Sequence, residues 1–251
     1  TSVIYGDINY ANIVFKKLFS DEKCIHSKEN PDKEFNALQS GGRLVGFDNY
    51  NILFSTGEYR SRYLAQNDKS INGKIIKINF YNYNYKILSK GHRNPQGLVY
   101  DNKNDFILET EHGPRGGDEI NLIEIKETKE KNIPNYGWPI SSYGEHYKNI
   151  KNKYDKYPLY KSHKKYGFIE PLKTFVPSIG ISEIVKLKNN FFVVSSLKDK
   201  SIYFFKINKE KKIIDINRVE IFERIRDLKF NNNKLYLFLE DTSSIGVIDI
   251  N

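Results

Sequence analysis

Four times along this chain the same short pattern recurs. An apolar strand runs into a turn of Asp, Asn and Lys, then come a second apolar strand, a loop and a third strand. The first copy reads GGRLVGFDNYNILFSTGE leading to GKIIKINF, and the second QGLVYDNKNDFILETEHG leading to DEINLIEI. The third reads ISEIVKLKNNFFVVSSLKDK leading to SIYFFKI, and the last IRDLKFNNNKLYLFLED leading to IGVIDI. Within these units the β-branched and aromatic runs Ile75–Phe80, Asp105–Thr110, Phe191–Ser195, Ile202–Ile207, Lys234–Leu239 and Ile245–Ile250 read as strands. Several alternate with the period of two that a half-buried strand requires. A small sheet repeated at this spacing cannot bury its own faces and must lie against its neighbours. The two architectures that do this are a β-sandwich and a radial array of blades. The loop after the second strand holds the same place in every unit, which favours the radial array. All-β, of β-propeller type, is therefore the predicted fold class. In such an array the loops gather at one end of the central channel, where a ligand would sit.

Two regions break the repeat. Lys126–Pro134 is polar and reads as an exposed loop. Tyr143–Ile169 is rich in Tyr and Lys and shows no strand pattern, so an insertion is expected at about 140–170, either covering one face or poorly packed. Ahead of the first unit only Asn12–Phe19 reads as a strand. The chain is expected to form one β-propeller domain over 1–251, with four or five blades' worth of sequence. It begins at Thr1 and contains no methionine, so upstream material, either a signal peptide or a further domain, is expected to have been removed; no signal peptide is present in it.

Composition limits function more than fold. No run approaches the roughly 18 apolar residues of a membrane helix. The single cysteine, Cys24, excludes an internal disulfide framework. A net charge of +9 raises the question of nucleic acid, but the lysines are scattered among Asn and Ile and no recognition motif accompanies them. No nucleic-acid partner is expected. A cationic cleft for an acidic small molecule remains.

The stretch Gly91–Asn121 carries the most chemistry. In GHRNPQG, Arg93 and Asn94 precede Pro95, which pushes Asn94 towards an extended backbone. Arg93 offers a planar fork for carboxylates. Lys198 in SSLKDK, and Arg224 and Arg226 in RIRD, occupy equivalent loop positions; the two arginines share a face if that segment is extended. Four cations around a channel repel unless an anion lies between them, so a planar ligand bearing several carboxylates would suit. Taken singly, each is as readily a solvated charge. In EHGPRGGDE the glycines allow tight turning and expose carbonyls beside Glu109, Glu111, Asp118 and Glu119, the oxygen ligands of a hard cation. The acidic spacing matches no calcium loop, and a glycine turn with solvated acids is the alternative. NYGWP, Asn135–Pro139, holds the one tryptophan and reads as a structural corner.

GHRNPQGLVYD, EHGPRGGDEINLI, NYGWP, SSLKDK and RIRD, in that order, resemble the signature segments of the PQQ-dependent soluble glucose dehydrogenase and aldose sugar dehydrogenase family, the glucose/sorbosone dehydrogenases. The resemblance runs from about Phe35 to the C-terminus. It implies a six-bladed β-propeller, incomplete at its N-terminus in this chain. It also implies a periplasmic or secreted oxidoreductase that oxidises aldoses at the anomeric carbon and hands electrons to an external acceptor. By the same resemblance Arg93 and Asn94 would contact the cofactor PQQ, with His112 beside it. Lys198, Arg224 and Arg226 would bind its carboxylates and quinone oxygens. The main-chain oxygens of Gly113 and Pro114 would bind calcium.

One departure counts against activity. The family's catalytic histidine opens a short motif whose counterpart here is Ala37-Leu38-Gln39-Ser40-Gly41-Gly42-Arg43. Leu38 falls at the histidine if Gln-Ser is aligned, and Gln39 if Arg43 is aligned. Neither accepts a proton near neutral pH, and loss of a general base costs about 10²–10⁴-fold. A threonine near the last strand is replaced by Leu239 or Glu240. Of the five histidines, His146 in the insertion could reach over the channel as a substitute base, although a surface histidine is the default reading. Two functions follow: a dehydrogenase of reduced or altered activity, or a non-catalytic propeller that keeps the cofactor or sugar pocket.

Overall fold

The computed structural model describes residues 1–250 except 22, 29, 130–131, 148–153 and 189. A hairpin of β1 (Ser2–Ile8) and β2 (Ile13–Ser20) precedes four antiparallel sheets. The first contains β3 (Gly41–Gly46), β4 (Asn51–Thr56), β5 (Lys74–Asn79) and β6 (Tyr85–Lys90). The second contains β7 (Pro95–Asp101), β8 (Phe106–Glu111), β9 (Asp118–Glu124) and β10 (Lys173–Phe175). The third contains β11 (Ile181–Lys186), β12 (Phe191–Ser196), β13 (Ser201–Ile207) and β14 (Ile213–Glu220). The last contains β15 (Ile225–Asn231), β16 (Lys234–Leu239) and β17 (Ser244–Asp249).

The turns follow from their residues. Asn232 and Asn233, at φ 48° and 61°, close β15 onto β16 as a two-residue turn with Asn231 facing Lys234. Asp101 accepts from the backbone N–H groups of Lys103 and Asn104, and Asp48 from that of Tyr50, side-chain turns that return each second strand along the first.

The first strands form the inner row. β3 lies beside β7, β7 beside β11, and β11 beside β15. Gly97 permits the β7–β11 approach: a Cβ there would stand 2.6 Å from the Ile184 nitrogen and 2.8 Å from the Ser182 oxygen. Thr110 donates to the Ser182 carbonyl at 2.6 Å, and Ser182 donates to that of Ile225 at 2.7 Å. Arg43 links all four inner strands. It lies on β3, donates through Nε to the Gln96 carbonyl on β7 at 3.1 Å, and pairs through Nη1 with Glu183 on β11 at 2.7 Å and Asp227 on β15 at 3.2 Å.

Alternation places the core between sheets. On β8, Ile107 joins Leu53 and Ile75 of the preceding sheet, whereas Phe106 and Leu108 join Ile181 and Phe192 of the following one. Val193 and Ile202 pack in turn against Ile225 and Leu235. Each such buried side chain stabilises by roughly 1.5–3 kcal/mol, so the sheets hold one another by their faces.

The four sequence repeats are thus the first three strands of the four sheets. The outer strands β6, β10 and β14 lie outside the repeat. The described residues form four sheets and one hairpin, and do not by themselves make up the six blades that the resemblance implies. Among them no helix is long and apolar enough to cross a membrane. Described residues of the 140–170 stretch pack into the molecule. Leu159 is buried against Trp138 and Ala65, and Tyr157 is buried as well. The Lys126–Pro134 segment is not simply exposed: Thr128 is buried and donates to the Ile125 carbonyl at 2.8 Å, while residues 130–131 lie outside the described residues.

Candidate functional site

The loops GHRNPQG and EHGPRGGDE stand side by side because β7 pairs with β8 from Pro95 opposite Glu111, and the His112 N–H continues the ladder to the Asn94 carbonyl at 3.2 Å. Arg93 is 6% exposed. Its Nη1 donates to the carbonyls of His112 at 2.8 Å and Gly113 at 2.6 Å, and its guanidinium lies 5.4 Å from the Trp138 ring centroid. Nη2 donates to the Gln39 amide oxygen at 2.7 Å, and the same amide donates to Glu58. Burial pushes the Glu58 carboxyl up to about 7 against the pull of Arg93 and Arg62.

Of the two positions that align with the family's histidine, Leu38 is 78% exposed and points away, whereas Gln39 is buried in the site. Gln39, Arg93, Pro114, Trp138, His146 and Tyr154 line a cavity of about 330 Å³. His146 thus shares one cavity with Gln39 and Arg93. Its ring stacks on Tyr154 at 4.1 Å and 13°, and its Nε2 faces the Tyr157 carbonyl at 2.8 Å. A carbonyl only accepts, so Nε2 carries the hydrogen and the Nδ1 lone pair is the ring's acceptor. Burial, with Arg62 and Lys161 adding to it, holds the imidazole below its ordinary value, so it is neutral at pH 7. His112 is also lowered, by burial first and then by Arg93 and Arg226, with Asp118 opposing.

Asn94, Arg224 and Arg226 have partners of their own. Asn94 accepts from the Gly41 N–H at 3.3 Å and from Gln96 at 3.0 Å. Arg224 and Arg226 share Glu240, at 3.2 and 2.8 Å, so the anion between these two cations is the chain's own, at one of the two positions, Leu239 or Glu240, where the resemblance expects threonine. Lys198 is exposed in the β12–β13 loop, one residue from Leu197, whose carbonyl accepts from Arg224 at 3.5 Å. Sequence reasoning missed Glu240 as a partner for the arginines, Glu58 behind Gln39, and Arg43 as the axial tie. None carries a local motif; each is defined by residues distant in the chain.

Calcium at Gly113 and Pro114 does not fit this arrangement. The Gly113 carbonyl already faces a guanidinium, and a second cation there would stand against like charge. Asp118 is engaged too, accepting from the N–H groups of Gly113, Gly180 and Ile181. The arginine pair does fit a carboxylate-bearing cofactor, because Glu240 is 37% exposed and an exposed ion pair exchanges for about 1 kcal/mol or less.

A model of the Glucose / Sorbosone dehydrogenase family matches residues 8–248. Aldose sugar dehydrogenase YliI of Escherichia coli is 30% identical over 227 residues, 81% of this chain and 57% of that protein. The chain spans about half the length of the curated relatives it matches. A crystal structure of glucose dehydrogenase superposes with a TM-score of 0.78 at 25% identity, covering 100% of this chain and 73% of the other. The PQQ-bound form of aldose sugar dehydrogenase from Streptomyces coelicolor has the same fold, with a TM-score of 0.60 at 22% identity, covering 81% of this chain and 56% of that one.

Proposed function

The chain belongs to the glucose/sorbosone dehydrogenase family, and from that premise we propose that it binds PQQ at the loop end of the channel and oxidises an aldose at the anomeric carbon, with His146 as the proton acceptor. The observation that carries this reading is that His146 lines the same cavity as Gln39, which stands in the family histidine's place, and Arg93. Bound PQQ supplies the two-electron acceptor for the anomeric hydride, and an external acceptor then takes the electrons. The chain's own residues do the rest. Arg224, Arg226 and Lys198 hold the cofactor's carboxylates once Glu240 is displaced. His146 Nδ1 takes the proton of the anomeric hydroxyl, its tautomer fixed by Tyr157. Arg93, held by two carbonyls, supplies the positive charge that the resemblance assigns to calcium, in a buried place where it stabilises developing negative charge. The resemblance sets this activity in the periplasm or outside the cell.

PQQ titration followed by absorbance, then dye reduction with several aldoses, tests the reading. PQQ binding with turnover that falls about 10²-fold or more in His146→Gln supports it. An unchanged rate in His146→Gln removes His146 from the chemistry. Bound PQQ with no turnover on any aldose leaves the non-catalytic propeller, which Gln39 favours because an amide takes no proton.

A further inference from the structure

Behind Arg93, away from the cavity, lies a second polar cluster that sugar oxidation does not use. Glu109 and Glu111 are two apart on β8 and share a face. Asn121 on β9 pairs with Glu109, and Glu119 with Glu111. His92 enters from the β6–β7 connection. His92, Glu109 and Asn121 are 0% exposed, Glu111 3% and Glu119 5%. One amide with two hydrogens faces three carboxylates here: Asn121 Nδ2 stands 3.0 Å from Glu109, 3.1 Å from Glu111 and 3.4 Å from Glu119. Of the neighbouring basic groups, Arg93 gives its guanidinium to carbonyls and only its backbone N–H to Glu111, at 2.5 Å, and His163 Nε2 faces Glu119 at 3.5 Å, which leaves Glu109 and Glu111 without a cation of their own besides His92. The second Glu109 oxygen and the Asn121 oxygen, both fully buried, have no hydrogen-bond partner. Buried carboxylates in this number, short of donors, need a further positive charge.

The spacing identifies what supplies it. His92 Nδ1 lies 3.3 Å from Glu111 Oε1 and 3.7 Å from Glu109 Oε2. Those separations are long for charge-assisted hydrogen bonds, which run at about 2.7–2.9 Å. They are ordinary between ligands of one metal, since bonds of about 2.0–2.2 Å place tetrahedral ligands roughly 3.3–3.6 Å apart. The outer contacts are also those of a metal site. His92 Nε2 is held by the Ser89 hydroxyl at 2.8 Å, which fixes the ring with Nδ1 towards the carboxylates, and the ring stacks on Tyr136 at 4.9 Å. We propose that His92, Glu109 and Glu111 hold a divalent transition-metal cation, zinc or manganese, that ties the β6–β7 connection to β8. A nitrogen ligand with only two carboxylates argues against calcium, which takes six to eight oxygens. The site is structural and independent of PQQ.

The test uses the full chain, unfolded with chelator, refolded with one equivalent of zinc or of manganese, gel-filtered and analysed for metal. About one ion per chain, with a higher unfolding temperature than the metal-free preparation, is expected. Glu109→Gln removes a ligand charge and should abolish retention. Ser89→Ala, a milder change that keeps the fold if Glu109→Gln does not, should weaken binding about 10–100-fold. The proposal is overturned if the wild-type chain refolds to the same unfolding temperature without retaining either ion, or if both variants retain the metal as the parent does. It is equally overturned if the infrared spectrum shows a protonated-carboxyl band that Glu109→Gln removes, because shared protons would then balance the cluster.

Discussion

Arg43→Met keeps the side-chain stem and deletes the guanidinium that links β3, β7, β11 and β15. It removes a donor from the Gln96 carbonyl and the cation from Glu183 and Asp227. Breaking a fully buried pair from one side costs about 3–5 kcal/mol. The Glu183 side chain is 5% exposed but that of Arg43 is 27% exposed, so screening brings the cost to about 2–3 kcal/mol once the Glu183 carboxyl is ionised. In a chain of this size that is a fall of about 5–10 °C in the unfolding temperature. The pH dependence makes the prediction specific. Burial pushes the Glu183 carboxyl up to about 8, from an ordinary 4.5, with Arg43 opposing. A carboxyl raised in the folded state binds more protons there than in the unfolded chain, so its contribution falls as pH rises from 4.5 towards 8. Without Arg43 its value rises further, and the deficit of the variant should widen above pH 8 by about 1.4 kcal/mol for each unit of that rise. Thermal and urea unfolding at pH 6 and pH 9 of the parent, Arg43→Met, Glu183→Gln and the double variant measures this. The double variant should recover most of the loss, because the cost lies in the stranded carboxyl. A single variant within about 1 °C of the parent, or a deficit equal at both pH values with no rescue, would refute the axial-tie argument.

Other outcomes follow from the same geometry. Lys74 is fully buried and donates to the carbonyls of Leu64, Ala65 and Asn72; burial pushes its ammonium down to about 7 from 10.5. The folded chain then binds fewer protons than the unfolded one between those values, so urea stability should rise from pH 7 to pH 10 in the parent, and Lys74→Met should flatten that slope. Glu240→Gln frees Arg224 and Arg226, and an absorbance titration should show PQQ binding tightened by up to about fivefold. The aldose oxidation rate should be flat from pH 7 to pH 8 and fall at acid pH as the lowered His146 protonates, a limb that His146→Gln abolishes. Gln39→His, which puts a base at the family position, should raise turnover in the His146→Gln background.

The blade units were legible because strand alternation is local. Lys234–Leu239 matches β16 residue for residue, and Ile202–Ile207 differs from β13 by one. The outer strands β6 and β14 escaped because an outer strand is largely solvated and shows little apolar signal: Ile213–Glu220 is exposed along nearly its whole length. At the site, the two loops announced themselves through Pro95 and the glycines, which act on their own backbones. The ionic partners did not. Gln39 meets Glu58 and Arg93 only after the chain has folded, and Glu240 reaches Arg224 and Arg226 across a hairpin whose register no single residue reveals. His146 sat in sequence that looked like an excursion, and the role proposed for it depends on Tyr154 and Tyr157 holding the ring in place.

Each sheet is made from one continuous stretch of chain, yet Arg43 finds Asp227 at a separation of 184 residues. During synthesis the sheets can therefore form one after another as they emerge, while this arginine waits for the last of them. Its final contact is made only by a chain whose successive sheets have curved correctly around the axis. A misplaced or skipped sheet would leave the guanidinium and the Glu183 carboxyl stranded, so the same ion triad that stabilises the finished array also discriminates against wrongly assembled ones.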